Sequence, residues 1–208
     1  MTGKDLEKTI KVAADKLIDL RDELNELDAA MGDGDCGLTA EKGAKGIIQF
    51  MTENPVESSE DLGKWLMQLG MSYNKAAPST MGALMATALM RAAKVIKGKT
   101  EFDDKDIAKM LTAASTGIQE RGKAKPGDKT IVDALEPSAQ ALAGAIEAGK
   151  PLADAAKDAL AAAKKGRDDA IPLRSKIGRA NWVGDRSIGK LDPGTVLFVS
   201  VLEAVVNS

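Results

Sequence analysis

Residues 6–28, LEKTIKVAADKLIDLRDELNELD, decide the fold class. Leu6, Ile10, Ala13, Leu17, Leu20, Leu24 and Leu27 recur at spacings of four and three, with charged residues between them. That spacing lines one side of a helix with apolar groups and leaves the other side to water. The stripe ends where Asp28 stands, in front of the glycine-rich break Gly32-Asp33-Gly34-Asp35-Cys36-Gly37.

The rest of the chain repeats this alternation of apolar stripe and break. A second helix is predicted from Leu38 to about Met51, stopped ahead of Pro55. A third starts near Ser58 and Ser59, whose hydroxyls suit a cap, with Leu62, Leu66 and Leu69 inward. Pro78-Ser79-Thr80-Met81-Gly82 opens a fourth that runs to about Val95, and Asp103 and Asp104 begin a fifth carrying Ile107, Leu111, Ala114 and Ile118. A sixth follows from about Thr130, where Pro137 predicts a kink or a late start. Pro151 marks the beginning of an alanine-rich seventh, Leu152 to about Lys165. Residues 171–191 are the longest irregular stretch. Asp192-Pro193-Gly194 then reads as cap and first turn of the last helix, with Val196, Phe198, Val201 and Val205 available for packing. The expectation is an all-α protein, an eight-helix antiparallel up-down barrel or bundle, in one domain over residues 1–208.

Composition agrees and narrows the function. Of 208 residues, 44% are hydrophobic and only 3% aromatic, a mix that favours helix over sheet. A net charge of -2 offers no electrostatic footprint for nucleic acid or an anionic membrane, and no apolar run approaches a membrane span. No leader pattern opens the chain and its single cysteine, Cys36, suits a reducing compartment, so a cytoplasmic protein is expected. There is no histidine. Ser-His-Asp hydrolysis, His-ligated zinc and imidazole acid-base chemistry are therefore outside this chain's reach.

In an antiparallel bundle, breaks one helix pair apart lie at the same end, so the loops at 28–39, 78–82, 122–130 and 178–194 are expected to share a rim. Asp28, Asp33 and Asp35 bring three carboxylates to one short segment, a donor set for a hard divalent cation, magnesium above all. A calcium hand starting at Asp33 needs a bidentate glutamate where Ala44 stands. Gly122-Lys123-Ala124-Lys125-Pro126-Gly127-Asp128-Lys129-Thr130 imitates a phosphate-binding P-loop with one residue too many before the lysine, and it follows a helix instead of a strand. Its amides and lysines could still line a nucleotide. Arg179 and Arg186 stand in the last polar loop, where a guanidinium suits phosphate oxygens, although Arg186 equally suits a solvated surface.

These motifs together resemble the nucleotide-binding domain of dihydroxyacetone kinases, the DhaL family. The resemblance rests on Leu27-Asp28 with Gly32 to Gly37, on Arg121-Gly122 with Pro126 to Thr130, on Gly178-Arg179 with Gly184 to Gly189, and on Asp192-Pro193-Gly194. Their order and spacing extend over essentially the whole chain. The family's eight-helix antiparallel barrel, with nucleotide at one rim, is implied. So are two magnesium ions held by Asp28, Asp33 and Asp35, and ADP or ATP surrounded by Cys36, Gly37, Leu38, Thr39, Thr80, Met81, Gly122, Ile131, Arg179, Asp192, Pro193 and Gly194. The implied chemistry is phosphoryl transfer, with Asp28, Asp33, Asp35 and Arg179 carrying it.

In this family a small ketose is held covalently on a histidine of a separate DhaK domain. This chain is thus expected to be one subunit of a two-part kinase, with a DhaK-type partner, a DhaM-type phosphocarrier as a candidate second partner, and a homodimer as the expected assembly. Two departures from the pattern matter. Many phosphotransferase-dependent members have histidine at the position of Cys36, and cysteine is familiar among ATP-dependent relatives. The usual Gly-Gly-Thr/Ala-Ser-Gly is Pro78-Ser79-Thr80-Met81-Gly82 here, so Ser79 or Thr80 would have to replace the lost serine hydroxyl. The alternatives left open are a nucleotide-sensing regulator without catalysis and a kinase subunit for another ketose or an acyl group.

Overall fold

The computed structural model describes residues 1–208, apart from the side chain of Ser58. Among the described residues there are nine α-helices and no strand: α1 Gly3–Asp19, α2 Arg21–Ala29, α3 Cys36–Glu53, α4 Leu62–Ala76, α5 Thr80–Val95, α6 Asp104–Gly122, α7 Val132–Glu147, α8 Leu152–Ala170 and α9 Pro193–Val206. The count exceeds eight because the opening stripe is interrupted at Leu20, so that α1 and α2 together make one stave. Each stave packs on the next in chain order, and α9 packs on both α8 and α1. That closure makes the bundle an antiparallel up-down barrel of eight staves.

The apolar stripe of 6–28 does what its spacing predicts, with one shift. Leu6, Ile10, Leu17, Leu20 and Leu24 are buried, whereas Ala14 takes the place expected of Ala13 and Leu27 is half-buried. These join Leu62, Trp65, Leu66, Leu69 and Tyr73 of α4 and Ile47 and Met51 of α3 in the main core. Each fully buried leucine contributes roughly 1.5–3 kcal/mol of transfer free energy, which is why the stripe outweighs the weaker preferences of the residues between. In α9 the inward set is Val196, Leu197 and Val199, with Phe198, Val201 and Val205 half-buried.

Helix starts follow local chemistry. Thr2 and Asp5 form a capping box on α1, and Asp103 and Asp106 form one on α6. The cap of α4 is Asp61, which accepts from Lys64 N at 2.9 Å, instead of the expected Ser58 or Ser59. The Ser58 hydroxyl lies outside the described residues, and Ser59 Oγ bonds the Asp61 carbonyl. Helix α7 starts at Val132 and runs through Pro137. Helix α8 continues to Ala170, five residues past the expected end.

Because the staves alternate in direction, one rim collects the C-terminal ends of α2, α4, α6 and α8 and the N-terminal ends of α3, α5, α7 and α9. All four chemically loaded loops lie at that rim. The opposite rim is tied by ordinary links: the chain's first amine donates to the Phe102 carbonyl at 2.8 Å, and Trp65 Nε1 donates to the Asn54 carbonyl at 2.9 Å.

Candidate nucleotide site

The aspartate loop is shaped by two glycines and one carboxylate. Gly34 has φ +77, a left-handed conformation that costs a side-chain-bearing residue about 1–2 kcal/mol. At Gly32 a methyl group would collide with the Asp28 carboxylate. Asp28 itself, in the last turn of α2, turns one oxygen onto the start of α3: Oδ2 accepts from Asp35 N at 2.9 Å and Cys36 N at 3.2 Å. Asn25, one turn earlier, accepts from Leu38 N at 3.1 Å. The first amides of α3 are thus satisfied by α2, and the Asp28 carboxylate is fixed in direction. Asp35 occupies the cap position of α3 with its side chain making no cap bond.

The outcome is a convergence. Asp28, Asp33 and Asp35 each place a carboxylate oxygen within 4.8 Å of the other two, with Asp28 half-buried and the other two exposed. Among the described residues this is the group of three or more carboxylate, histidine or cysteine side chains that suits a metal ion. Three like charges at that separation repel, and Arg179 pairs with Asp33 from across the rim. An all-oxygen, anionic, open set fits a hard divalent cation that keeps further positions for other oxygen ligands.

The remaining expected residues are distributed around this cluster. Cys36 is buried at the start of α3, with Sγ 3.3 Å from Met81 Sδ on α5. Burial, followed by the charges of Asp28, Asp192 and Asp35, pushes its thiol up to about 12, so it is a neutral apolar contact at physiological pH. Gly37 and Thr39 are buried and Leu38 half-buried. Gly194 lies against Ile131, where an added methyl would stand 3.1 Å from its Cβ. Asp192 caps α9, accepting from Thr195 N at 2.8 Å, and Pro193 is the first residue of that helix. Burial pushes the Asp192 carboxyl up to about 7. Gly122 ends α6 beside Leu84, and Thr80 opens α5 exposed to solvent. The Ser79 hydroxyl accepts from Gly82 N at 3.0 Å as the cap of α5, so it serves the helix start first.

Two expectations from the later loops of the rim change. Lys123 and Lys125 are exposed, but Lys129 is 1% exposed and turned into the protein, so it does not line a nucleotide. Arg186 is exposed, its Nε 3.4 Å from the Val183 carbonyl within its own loop, as a surface arginine is. The sequence reading also passed over Asn25, Asp133 and Lys190. Asp133 accepts from Gly127 N at 2.6 Å and Thr130 N at 2.7 Å, and Lys190 Nζ donates to the Ala30 carbonyl at 2.9 Å. Asn25 was open to discovery as an amide one turn before Asp28. The bond of Lys190 spans 160 positions and leaves no local signal.

Comparison with known proteins places the chain in a family. The family model of the DAK2 domain matches residues 30–207. The L-erythrulose kinase of Pectobacterium atrosepticum is 34% identical over 88% of this chain, which spans 31% of that protein. The ADP-binding subunit DhaL of the PEP-dependent dihydroxyacetone kinase of Escherichia coli is 29% identical over 88% of this chain and 86% of that subunit. The corresponding subunit of Listeria innocua is 32% identical over 88% of this chain and 87% of its own length. The dihydroxyacetone kinase of C. freundii superposes with a TM-score of 0.74 at 23% identity, covering 97% of this chain and 34% of that one. The same kinase in complex with AMP-PNP and Mg2+ gives 0.73 at 24%. With the fold, the aspartate loop and the match over 30–207 agreeing, the chain belongs to the DAK2 domain family.

Proposed function

We propose that this chain is the nucleotide-binding, phosphoryl-transferring subunit of a dihydroxyacetone-type kinase, residues 1–208 forming one DhaL-type domain. The observation that carries the reading is the convergence of Asp28, Asp33 and Asp35 within 4.8 Å at the rim. These three residues would hold the magnesium ions, two by the family pattern, and the bound metal supplies neutralisation of phosphate charge. The chain's own groups supply the setting. Asp28 is held in direction by the amides of Asp35 and Cys36. Arg179 brings a permanent positive charge opposite Asp33, suited to the oxygens of a transferring phosphoryl group. Cys36, Met81, Ile131 and Gly194 give the nucleotide an uncharged wall on the barrel side. The acceptor, a small ketose, would be presented by a separate DhaK-type subunit.

The donor has two candidates. The relatives that this chain matches along most of their length are ADP-binding subunits of PEP-dependent kinases, which favours a retained ADP recharged by a phosphocarrier. Cysteine at position 36 favours direct use of ATP. Retention of ADP through purification, without exchange against ATP, supports the first; rapid exchange supports the second. A four-carbon ketose is a second substrate reading, favoured by 34% identity to two L-erythrulose kinases, of which this chain spans about a third.

The central test is Asp33→Ala. Magnesium-dependent nucleotide binding, measured by calorimetry, should disappear; binding equal to that of the unaltered chain would end the assignment. Mixing the chain with a DhaK-type subunit, magnesium-ATP and dihydroxyacetone separates a kinase subunit from a regulator, because only the former yields phosphorylated ketose at an enzyme-like rate.

A further inference from the structure

The second glycine loop contains a charged group for which the function above has no use. Lys129 has φ +59 and is 1% exposed. Burying an ammonium is costly unless its donors are all met. Here they are met: Nζ donates to the carbonyls of Ile171 at 2.8 Å, Leu173 at 3.0 Å and Ser187 at 2.7 Å, three acceptors for three protons. All three belong to the segment between α8 and α9. The carboxylates of Asp192 and Asp133, at the starts of α9 and α7, act on the same charge from a distance.

The position of those carbonyls along the chain is informative. Leu173 and Ser187 bracket Arg179, so Lys129 grips both feet of the excursion that carries it. Neighbouring bonds close the same base: Gly189 N donates to the Ile171 carbonyl at 2.9 Å, and Ser175 N donates to Ser187 Oγ at 3.0 Å. Lys176 adds links back to the second glycine loop, its amide to the Asp128 carbonyl at 3.1 Å and its Nζ to the Gly127 carbonyl at 2.7 Å. Above that base the only helical structure is two short 3-10 turns, Arg179–Asn181 and Gly184–Ser187. A loop of this kind has little packing of its own to hold an arginine in place.

We propose that Lys129 is the positioning residue of this site: its buried ammonium clamps the base of the 171–189 loop and thereby holds Arg179 opposite the aspartate cluster. The clamp is a property of the fold alone, whereas its consequence for phosphoryl transfer rests on the function proposed above.

The test uses the full chain and two readouts. In Lys129→Met, hydrogen exchange should accelerate more at the amides of Ser175, Lys176 and Gly189 than at those of α3 to α5. With a DhaK-type subunit and magnesium-ATP, turnover should fall to the level of Arg179→Ala, roughly 10²–10³-fold for loss of one oriented donor. The variant carrying both changes should fall no further. Wild-type protection of the loop in Lys129→Met, or losses of turnover that multiply in the double variant, would overturn the proposal. If Lys129→Met does not fold, Lys129→Ala with n-propylammonium, which replaces the deleted atoms, should recover both fold and loop protection. Failure of that rescue also overturns it, because a clamp confined to one loop cannot bring down the barrel. Loss of loop protection in a chain whose unaltered form transfers no phosphate would leave the clamp standing and end the kinase reading instead.

Discussion

Two charged clusters share one rim of this barrel and are built in opposite ways. At the aspartate loop, three carboxylates crowd within 4.8 Å, two of them exposed. At the base of the 171–189 loop, a single ammonium is sealed in with each proton donated to a carbonyl. The first arrangement is open to solvent, with Arg179 paired to Asp33 from across the rim; in the function proposed above, a cation from solution completes it. The second is complete and closed, and has nothing left to bind. Both sit in charged, glycine-containing loops, so glycine and charge together do not separate a ligand site from a structural one. What separates them is whether the charge is satisfied by the protein.

The sharpest way to break this contrast is to neutralise one member of each cluster. Asp35→Asn should lower magnesium-nucleotide affinity at least about 100-fold, since loss of groups that merely orient metal ligands already costs 10–100-fold. Its thermal stability without ligand should stay level or rise, because a like charge has gone. Calorimetric binding and thermal unfolding measured on one sample check both halves. Lys129→Met should move stability the other way, by roughly 3 kcal/mol for carbonyls left without a donor, which corresponds to a fall of about 6–12 °C in a chain of this size. A Lys129→Met protein as stable as the parent would erase the distinction between the clusters.

Smaller effects sharpen it. Gly34→Ala should cost about 1–2 kcal/mol through its left-handed backbone, with weaker cation binding as Asp33 and Asp35 are displaced; chemical denaturation and metal titration report the two losses. Asp192 provides a pH signature. Burial raises its carboxyl to about 7, offset by the Thr195 amide and reinforced by the Asp133 charge, while an unfolded aspartate titrates near ~4. Between these values the folded chain holds a proton that the unfolded chain has released, so this group's contribution to stability falls as pH rises from about 4 to 7. Asp192→Asn keeps a cap acceptor and should remove that slope in ligand-free unfolding curves. The mildest effect concerns Cys36, buried and with its thiol pushed up to about 12. It should label slowly with a thiol reagent at pH 8 in the folded chain and rapidly in denaturant, as mass spectrometry would record.

The fold was largely legible before any coordinates. A 3.5-residue apolar spacing, proline and glycine breaks and acidic caps each act within one or two turns, so a linear reading finds them. It erred where neighbours compete: Asp61 displaced Ser59 as a cap, and Ala14 displaced Ala13 in the stripe. The convergence of carboxylates in the aspartate loop was legible because all three lie within eight residues. Lys129 was read as a lysine that could line a nucleotide, since nothing nearby in sequence states that its partners lie 42 to 58 positions away.

The sequence by itself determined the helical class, the positions of the breaks and the crowding of carboxylates in the aspartate loop, because these follow from periodicity, backbone freedom and side-chain type over short distances. Only the tertiary structure decided which charges are open and which are sealed. That depends on burial and on hydrogen-bond acceptors brought from remote parts of the chain when the barrel closes, and the free energy of a charge depends on its surroundings far more than on its identity.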